Sequence, residues 1–360
     1  MPASAAAPAI DAAAPWPQAE RLFRSDPDWR GGDAAYSVPL GGDRVLWLFG
    51  DSFVTRRAPG SAPQPRRAGC AMVRNSVGLQ TGADPTAARM QFAWRGRGTA
   101  AAPGDWFAPE GAAWLWPLHG VYLDGACLDG AGPGGVAVVF CTRVESTGGD
   151  GPFSFRAAGW RAFVLRGVDG PLDDWRQEPA QLPAPAPFDV VVGTAVLADG
   201  DHVYAFVLRE PGDHAVFVLR WPHAAFARGD LRAPEWRDGD RWVAHAALRA
   251  APAPVLAEGA PEFSVVRQGS AFWMVQSLGF GSSDVAVRTA PRPWGPWSAP
   301  RVVFHPPEGD DPGLFTYAAK ALRLDDGALL ATYASNGQDF GRLCGDERLY
   351  YPHCLRLCPR

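Results

Sequence analysis

The sequence predicts an all-β fold, a five-bladed β-propeller, and three observations carry that prediction. Helical periodicity is almost absent along the 360 residues. Short apolar runs recur instead, split by Gly, Pro and Asp, which is the pattern of strands joined by tight turns. One unit also repeats: five times a strand enters a Gly/Asp turn and leaves as a second apolar strand. These hairpins are SVPL-GGD-RVLWLF, VYLDGACLDGAGPGGVAVVF, TAVLADGDHVYAFVL, EFSVVRQGSAFWMVQ and AAKALRLDDGALLATY, with turns near residues 42, 130, 200, 269 and 326. Four strands per unit, repeated radially, make a propeller.

Further strands complete the units in order. NSVGLQ and QFAWRG follow the first hairpin, WRAFVLR and DDWRQEP the second, HAVFVLRW and RWVAH the third. DVAVRTA and WSAPRVVF follow the fourth, and YYPHCLRL the fifth. The fifth unit is one strand short, and residues 20–24 (ERLFR) are expected to supply the closing strand. Residues 1–19 are Ala/Pro-rich and expected to be disordered. Residues 20–360 then form a single domain.

The first hairpin holds the main chemical signal. With Gly41-Gly42-Asp43 as its loop, Leu40 pairs with Arg44, and in the same register Asp33 falls opposite Asp51. Directly opposed residues have Cβ atoms about 4.5–5.5 Å apart on one sheet face, where two like charges are destabilising. A one-residue slip would send the carboxylates to opposite faces. The alternative is local: Asp33 as a turn residue after two glycines, Asp51 as the start of an Asx-turn.

Composition narrows the remaining classes. The net charge is −4 with 20% charged residues, which does not suggest a nucleic-acid or anionic-membrane partner. Fifteen Trp stand against 7 Tyr. Such Trp loading suits sugar stacking, but large β cores use it too and are the expected place for most of these residues. The six cysteines show no C-x-x-C, and no metal site or cofactor is expected. Cys127 and Cys141 are placed to face each other across a hairpin, although pairing is not readable from sequence. No 18-residue apolar run occurs. The N-terminus lacks a basic region and a continuous apolar core, so no signal peptide is read. A monomer is expected.

In a propeller the first strand of each blade lines the central channel, so residues at those strand starts converge. Here they are Asp33, His119, Thr194, Glu262, and Tyr317 with Lys320. Glycoside hydrolysis needs one carboxylic acid and one carboxylate. Asp51 is expected as the general acid, its pKa raised by its neighbouring carboxylate and by apolar Leu48 and Phe49. Asp33 is then nucleophile or base. Retaining enzymes hold the two carboxyls about 5–5.5 Å apart and inverting ones about 6.5–9.5 Å, so opposed residues lean to retention. Glu262, His119, Trp116, Asn75, Tyr317 and Lys320 are the candidate substrate contacts. Each has a structural alternative: a strand start after Pro261, a satisfied histidine, core packing, a turn cap, or a snorkelling lysine.

Short motifs in a fixed order carry a family resemblance. They are Trp47-Leu48-Phe49-Gly50-Asp51-Ser52-Phe53, Arg74-Asn75-Ser76-Val77-Gly78, Glu262-Phe263-Ser264-Val265, and Arg288-Thr289-Ala290 through Trp294-Gly295-Pro296-Trp297. Tyr317-Ala318-Ala319-Lys320-Ala321, Tyr333-Ala334-Ser335-Asn336 and Tyr351-Pro352 follow. This order resembles the domain of unknown function 4185 family, whose characterised members are five-bladed glycoside hydrolases of family 183 that cut D-arabinan internally. The resemblance implies an arabinofuranose-containing polysaccharide or oligosaccharide substrate, an acid pair at Asp33 and Asp51, and typically exported enzymes. Many relatives read W-P-G-D-G where this chain has Trp116-Pro117-Leu118-His119-Gly120. That departure keeps open a catalytically silent propeller that binds glycans or a protein.

Overall fold

The computed structural model describes residues 10–56, 67–125, 134–149, 153–279 and 284–359. It opens with β1 (Ile10–Pro15), a short helix α1 (Pro17–Glu20), a 3-10 turn (Arg21–Arg24) and β2 (Trp29–Gly32). The first hairpin is β3 (Tyr36–Pro39) and β4 (Arg44–Phe49), followed by β5 (Ser52–Val54) and β6 (Ala71–Val73). Strands β7 (Ser76–Thr81) and β8 (Arg89–Ala93) complete a first sheet ordered β3-β4-β7-β8, while β2-β5-β6 form a small sheet that the repeat did not predict.

The second sheet runs β9 (Trp114–Leu123), β10 (Val136–Ser146), β11 (Phe155–Arg166) and β12 (Arg176–Pro179). The third has five strands: β13 (Val191–Asp199), β14 (His202–Leu208), β15 (Val216–Pro222), β16 (Glu235–Asp238) and β17 (Arg241–Ala244). A short helix, α2 (His223–Ala227), follows β15. The fourth comprises β18 (Phe263–Gln268), β19 (Ala271–Leu278), β20 (Asp284–Ala290) and β21 (Arg301–Phe304). In the fifth, β22 (Leu314–Arg323) and β23 (Leu329–Gly337) are followed by helix α3 (Phe340–Gly345) and β24 (His353–Pro359). Within each of the five sheets neighbouring strands run antiparallel.

The first strands of these five sheets pack side by side in a ring order: β3 on β9, β9 on β13, β13 on β18, β18 on β22, and β22 on β3. Apolar layers lie between successive sheets. Leu46 and Val138 belong to the layer joining the first three, Phe206 and Met274 join third to fourth, Val275 and Leu329 join fourth to fifth, and Leu330 and Trp47 join fifth to first. Both faces of a middle strand are therefore covered, which is why RVLWLF reads as a continuous apolar run rather than an alternation.

Two expectations about the N-terminus are corrected. Ile10–Pro15 is ordered as the outer strand of the fifth sheet, paired antiparallel with β24, and Trp16 continues the contact by donating its amide to the Cys354 carbonyl at 2.7 Å. An Ala/Pro composition signals disorder only when no partner edge exists, and this edge lies more than 300 residues downstream. The segment 20–24 is not the closing strand. Its 3-10 turn buries Phe23 against Trp47, with ring centroids 4.9 Å apart. Cys127 lies outside the described residues; Cys141 is buried on β10.

Candidate active site

The first hairpin forms in the expected register. Tyr36 pairs with Leu48 and Val38 with Leu46, and beyond the hairpin Gly32 pairs with Ser52 in the same frame. Asp33 lies between these pairs, opposite Asp51: its amide donates to the Asp51 carbonyl at 3.0 Å, and its carbonyl accepts from Gly50 at 2.9 Å. The two preceding glycines let the backbone in close. A Cβ on Gly31, whose φ is +115°, would sit 2.3 Å from the Tyr350 carbonyl oxygen, and one on Gly32 would meet Ser52 and Trp29 at 2.7 Å. Ala34 and Ala35 then adopt left-handed φ of 75° and 57°. Such strain in alanine persists only where the surroundings over-determine it. The kink leaves Asp33 Oδ1 accepting the Ala34 amide at 2.8 Å.

Asp33 keeps some residue surface, but its carboxyl group is enclosed. Burial, then the charge of Glu262, push its pKa from 3.8 up to about 7; the Tyr317 hydroxyl opposes this by hydrogen bonding to it, and Asp51 adds to it. Asp51 has a different environment. Arg74 Nη1 donates to Oδ2 at 3.0 Å and the Trp116 indole donates to Oδ1 at 2.8 Å. Burial raises the Asp51 pKa, while Arg74 and Trp116 hold it down. Beneath it, Ser52 Oγ bonds the Gly50 carbonyl and Ser76 Oγ, each at 2.8 Å, and Trp29 donates to Ser76 at 3.0 Å.

Strand irregularities aim the other groups. Register shifts interrupt β9 between Pro117 and Gly120, β13 between Val192 and Val196, and β22 between Tyr317 and Lys320. Bulges re-aim side chains in this way. Lys320, with a side chain only 2% exposed, donates to Glu262 at 2.5 Å and sits 4.2 Å above the Tyr36 ring. Burial lowers its pKa, and Glu262 and Asp33 oppose this. The Tyr36 hydroxyl faces Glu262 outside hydrogen-bonding geometry. Tyr317 stands beside Asp33; burial and then the Asp33 charge raise its pKa, and Asn336 Nδ2 donates to its hydroxyl at 3.3 Å. Trp116, Tyr317, Glu262 and Lys320 thus surround the acid pair.

Two candidates are otherwise employed. His119 Nδ1 accepts the Val196 amide and Nε2 meets the Ser37 carbonyl, both at 2.9 Å. The accepted amide fixes the Nε2–H tautomer, and the ring ties the first sheet to the third as a neutral strut. Burial drops its pKa to about 4. Asn75 is fully buried and its amide is engaged with the backbone: Nδ2 donates to the Phe107 and Leu115 carbonyls at 3.1 and 2.9 Å, and Oδ1 accepts the Phe107 amide at 2.7 Å. It pins the entry to β9, with both amide donors already spent on backbone carbonyls.

Several residues were not anticipated. Arg74, with its guanidinium 4.4 Å above the Trp114 ring, stands next to Asn75 in a motif already visible in the sequence. Aromatic contacts run from Trp114 to Trp116 (5.9 Å), Phe155 (4.6 Å), Phe153 (6.5 Å), Phe315 (6.3 Å) and Tyr317 (5.5 Å). This arc links the second sheet to the fifth, with Trp116 donating to Asp51 and Tyr317 standing beside Asp33, and Phe153 is 56% exposed. Among the described residues no three His, Cys, Asp or Glu side chains are grouped as metal ligands, and no helix is long and apolar enough to cross a membrane.

Fold and site define an all-β protein with an opposed, enclosed carboxylate pair ringed by aromatic side chains. The chain belongs to the domain of unknown function 5005 family, whose model matches residues 18–358. The family shown is thus 5005, whereas the motif order resembles 4185. No curated protein matches by sequence. A solved candidate hydrolase from Bacteroides ovatus is similar in fold, with a TM-score of 0.67 at 18% identity, covering 96% of this chain and 90% of that one. A xylan β-1,4-xylosidase from Bacillus halodurans aligns with a TM-score of 0.50 at 10% identity, covering 93% of this chain. This chain spans only 54% of that xylosidase.

Proposed function

We propose that this protein is a glycoside hydrolase that cleaves an arabinofuranose-containing polysaccharide, built as one five-bladed propeller with Asp33 and Asp51 as its acid pair. The ring-order packing of five sheets supports the blade count. The observation that carries the activity is the contrast between the opposed carboxyls. Asp33, at about 7, retains a proton near neutrality, while Asp51 has a donor on each oxygen. Burial raises both carboxyls, but only Asp51 has Arg74 and Trp116 opposing that rise, and such unequal environments assign acid and base in glycoside hydrolysis.

Asp33 is then the general acid and gives its proton to the leaving glycosidic oxygen. Asp51 acts as the carboxylate, either on the anomeric carbon or on a water that attacks it. This exchanges the roles expected from sequence, because Arg74 and Trp116 favour the charged form of Asp51. The names of the two structural neighbours, a candidate hydrolase and a xylosidase, support hydrolysis of a glycan. The endo-D-arabinanase subtype rests on the motif resemblance.

Incubation with arabinans, xylans and arabinogalactans tests the reading: oligosaccharides should appear from an arabinan, and their release should fall by orders of magnitude with Asp33→Asn or Asp51→Asn. A second reading, a propeller that binds glycans without cleaving them, is favoured by His119 standing where many 4185 relatives have an acid. Binding to the same panel with no product would establish it and refute the enzyme.

A further inference from the structure

A cavity of about 600 Å3 lies between the second and third sheets and plays no part in the acid site. That volume is in the range of ligand pockets. Trp160 and Phe188 supply aromatic surface to its wall. The charges there balance, with Arg143, Arg156 and Arg161 against Glu145, Asp189 and Glu210. Arg143 and Arg156 each pair with Glu145, at 2.6 and 3.0 Å. Apolar faces beside balanced donors and acceptors suit a neutral polyol, whose ring stacks while its hydroxyls bridge the polar groups. A surplus of arginine would instead have suited an anion.

The cavity also lies close to the acids. Trp116 pairs with Thr142 and Thr142 with Trp160 across three neighbouring strands. Two strand spacings, about 10 Å, therefore separate the Cα of Trp160 from that of Trp116, whose indole holds Asp51. On β11, Phe155 packs on Trp116 while the next residue, Arg156, lines the cavity with a side chain 63% exposed. We infer that this cavity is a second carbohydrate-binding site, a subsite holding the same polysaccharide chain away from the acid pair. The inference rests on the substrate class proposed above.

The test uses the full chain carrying Asp33→Asn, so that ligand is not consumed, and calorimetry with arabino-oligosaccharides and xylo-oligosaccharides of disaccharide, tetrasaccharide and hexasaccharide length. Affinity should rise with length. Trp160→Ala should weaken hexasaccharide binding about tenfold, roughly 1.4 kcal/mol, and leave disaccharide binding unaltered. Arg156→Ala, at an exposed position that does not threaten folding, should act in the same direction. If both variants keep the parent's ratio of hexasaccharide to disaccharide affinity, or if neither series binds, the subsite is refuted. Wild-type hydrolysis is scored separately. Length-dependent binding lost in Trp160→Ala without any hydrolysis would leave the subsite standing and remove the enzyme. Hydrolysis without that dependence would do the reverse.

Discussion

Replacing Asp33 by Asn should remove activity and stabilise the protein, and the stabilisation should depend on pH in a defined way. The folded pKa of Asp33 is raised from 3.8 to about 7 by burial and by Glu262. With the folded value above the unfolded one, the native state holds a proton that the unfolded chain has lost, so stability falls as pH rises from about 4 to about 7 and is level beyond. Three pH units at about 1.4 kcal/mol each give about 4 kcal/mol. Asn carries no charge in either state and keeps an oxygen for the Ala34 amide and the Tyr317 hydroxyl. Wild type and variant should therefore match near pH 4 and diverge up to pH 7, with the variant's melting temperature higher at pH 8 by on the order of 5 °C. Turnover at pH 6 should drop about 10²–10⁴-fold, the usual worth of a general acid. Denaturant titrations across this pH range measure the first effect, and released oligosaccharide the second. Parallel stability curves would mean that Asp33 does not hold a proton, and the role assignment would be lost.

Trp116→Phe removes a donor from Asp51 and leaves burial less opposed, so the acidic limb of the kcat profile should move to higher pH by about half a unit; an unmoved limb would show that Asp51 does not set it. Glu262→Gln removes the charge that raises Asp33, so the basic limb should fall by about one unit while cleavage persists. Abolished cleavage in Glu262→Gln beside near wild-type Asp51→Asn would instead put Glu262 in the pair. His119→Ala should lose about 2–3 kcal/mol from two broken buried hydrogen bonds, with KM unchanged once the protein is folded; a raised KM would return His119 to the substrate site.

The parts of this fold that were legible in the sequence are those set by local chemistry. Gly41 and Gly42 take φ of 81° and 57° at the first turn, and a glycine turn of fixed length sets the register that opposes Asp33 to Asp51. Each of the five hairpins is likewise a short-range object. The closing strand was not legible, because Ile10–Pro15 owes its order to backbone bonds with His353–Pro359 at the other end of the chain. The roles proposed for the two acids were hidden for the same reason. Their apolar surroundings look alike along the chain, but Trp116 and Tyr317 reach them from two other sheets and Arg74 and Glu262 from two connecting segments. Candidate contacts such as Asn75 and His119 show a further limit, since a polar side chain at a strand start reads identically whether its partner is a carbonyl or a sugar.

The tryptophans show what separates the two cases. Trp29, Trp47, Trp221 and Trp236 are fully buried, and their indole N–H groups end on Ser76, Gln80, the Leu231 carbonyl and His245. Trp116 is partly exposed, and its N–H ends on the Asp51 carboxylate. A core indole needs only some acceptor to avoid a buried unsatisfied donor. An indole spent on an ionisable carboxyl at an aromatic mouth favours one protonation state of that carboxyl. Composition counts both kinds alike, so Trp loading could suggest a glycan-binding protein without saying which tryptophan meets the glycan. The destination of the N–H sets Trp116 apart from the core indoles, and its donation to Asp51 opposes the rise that burial imposes on that carboxyl.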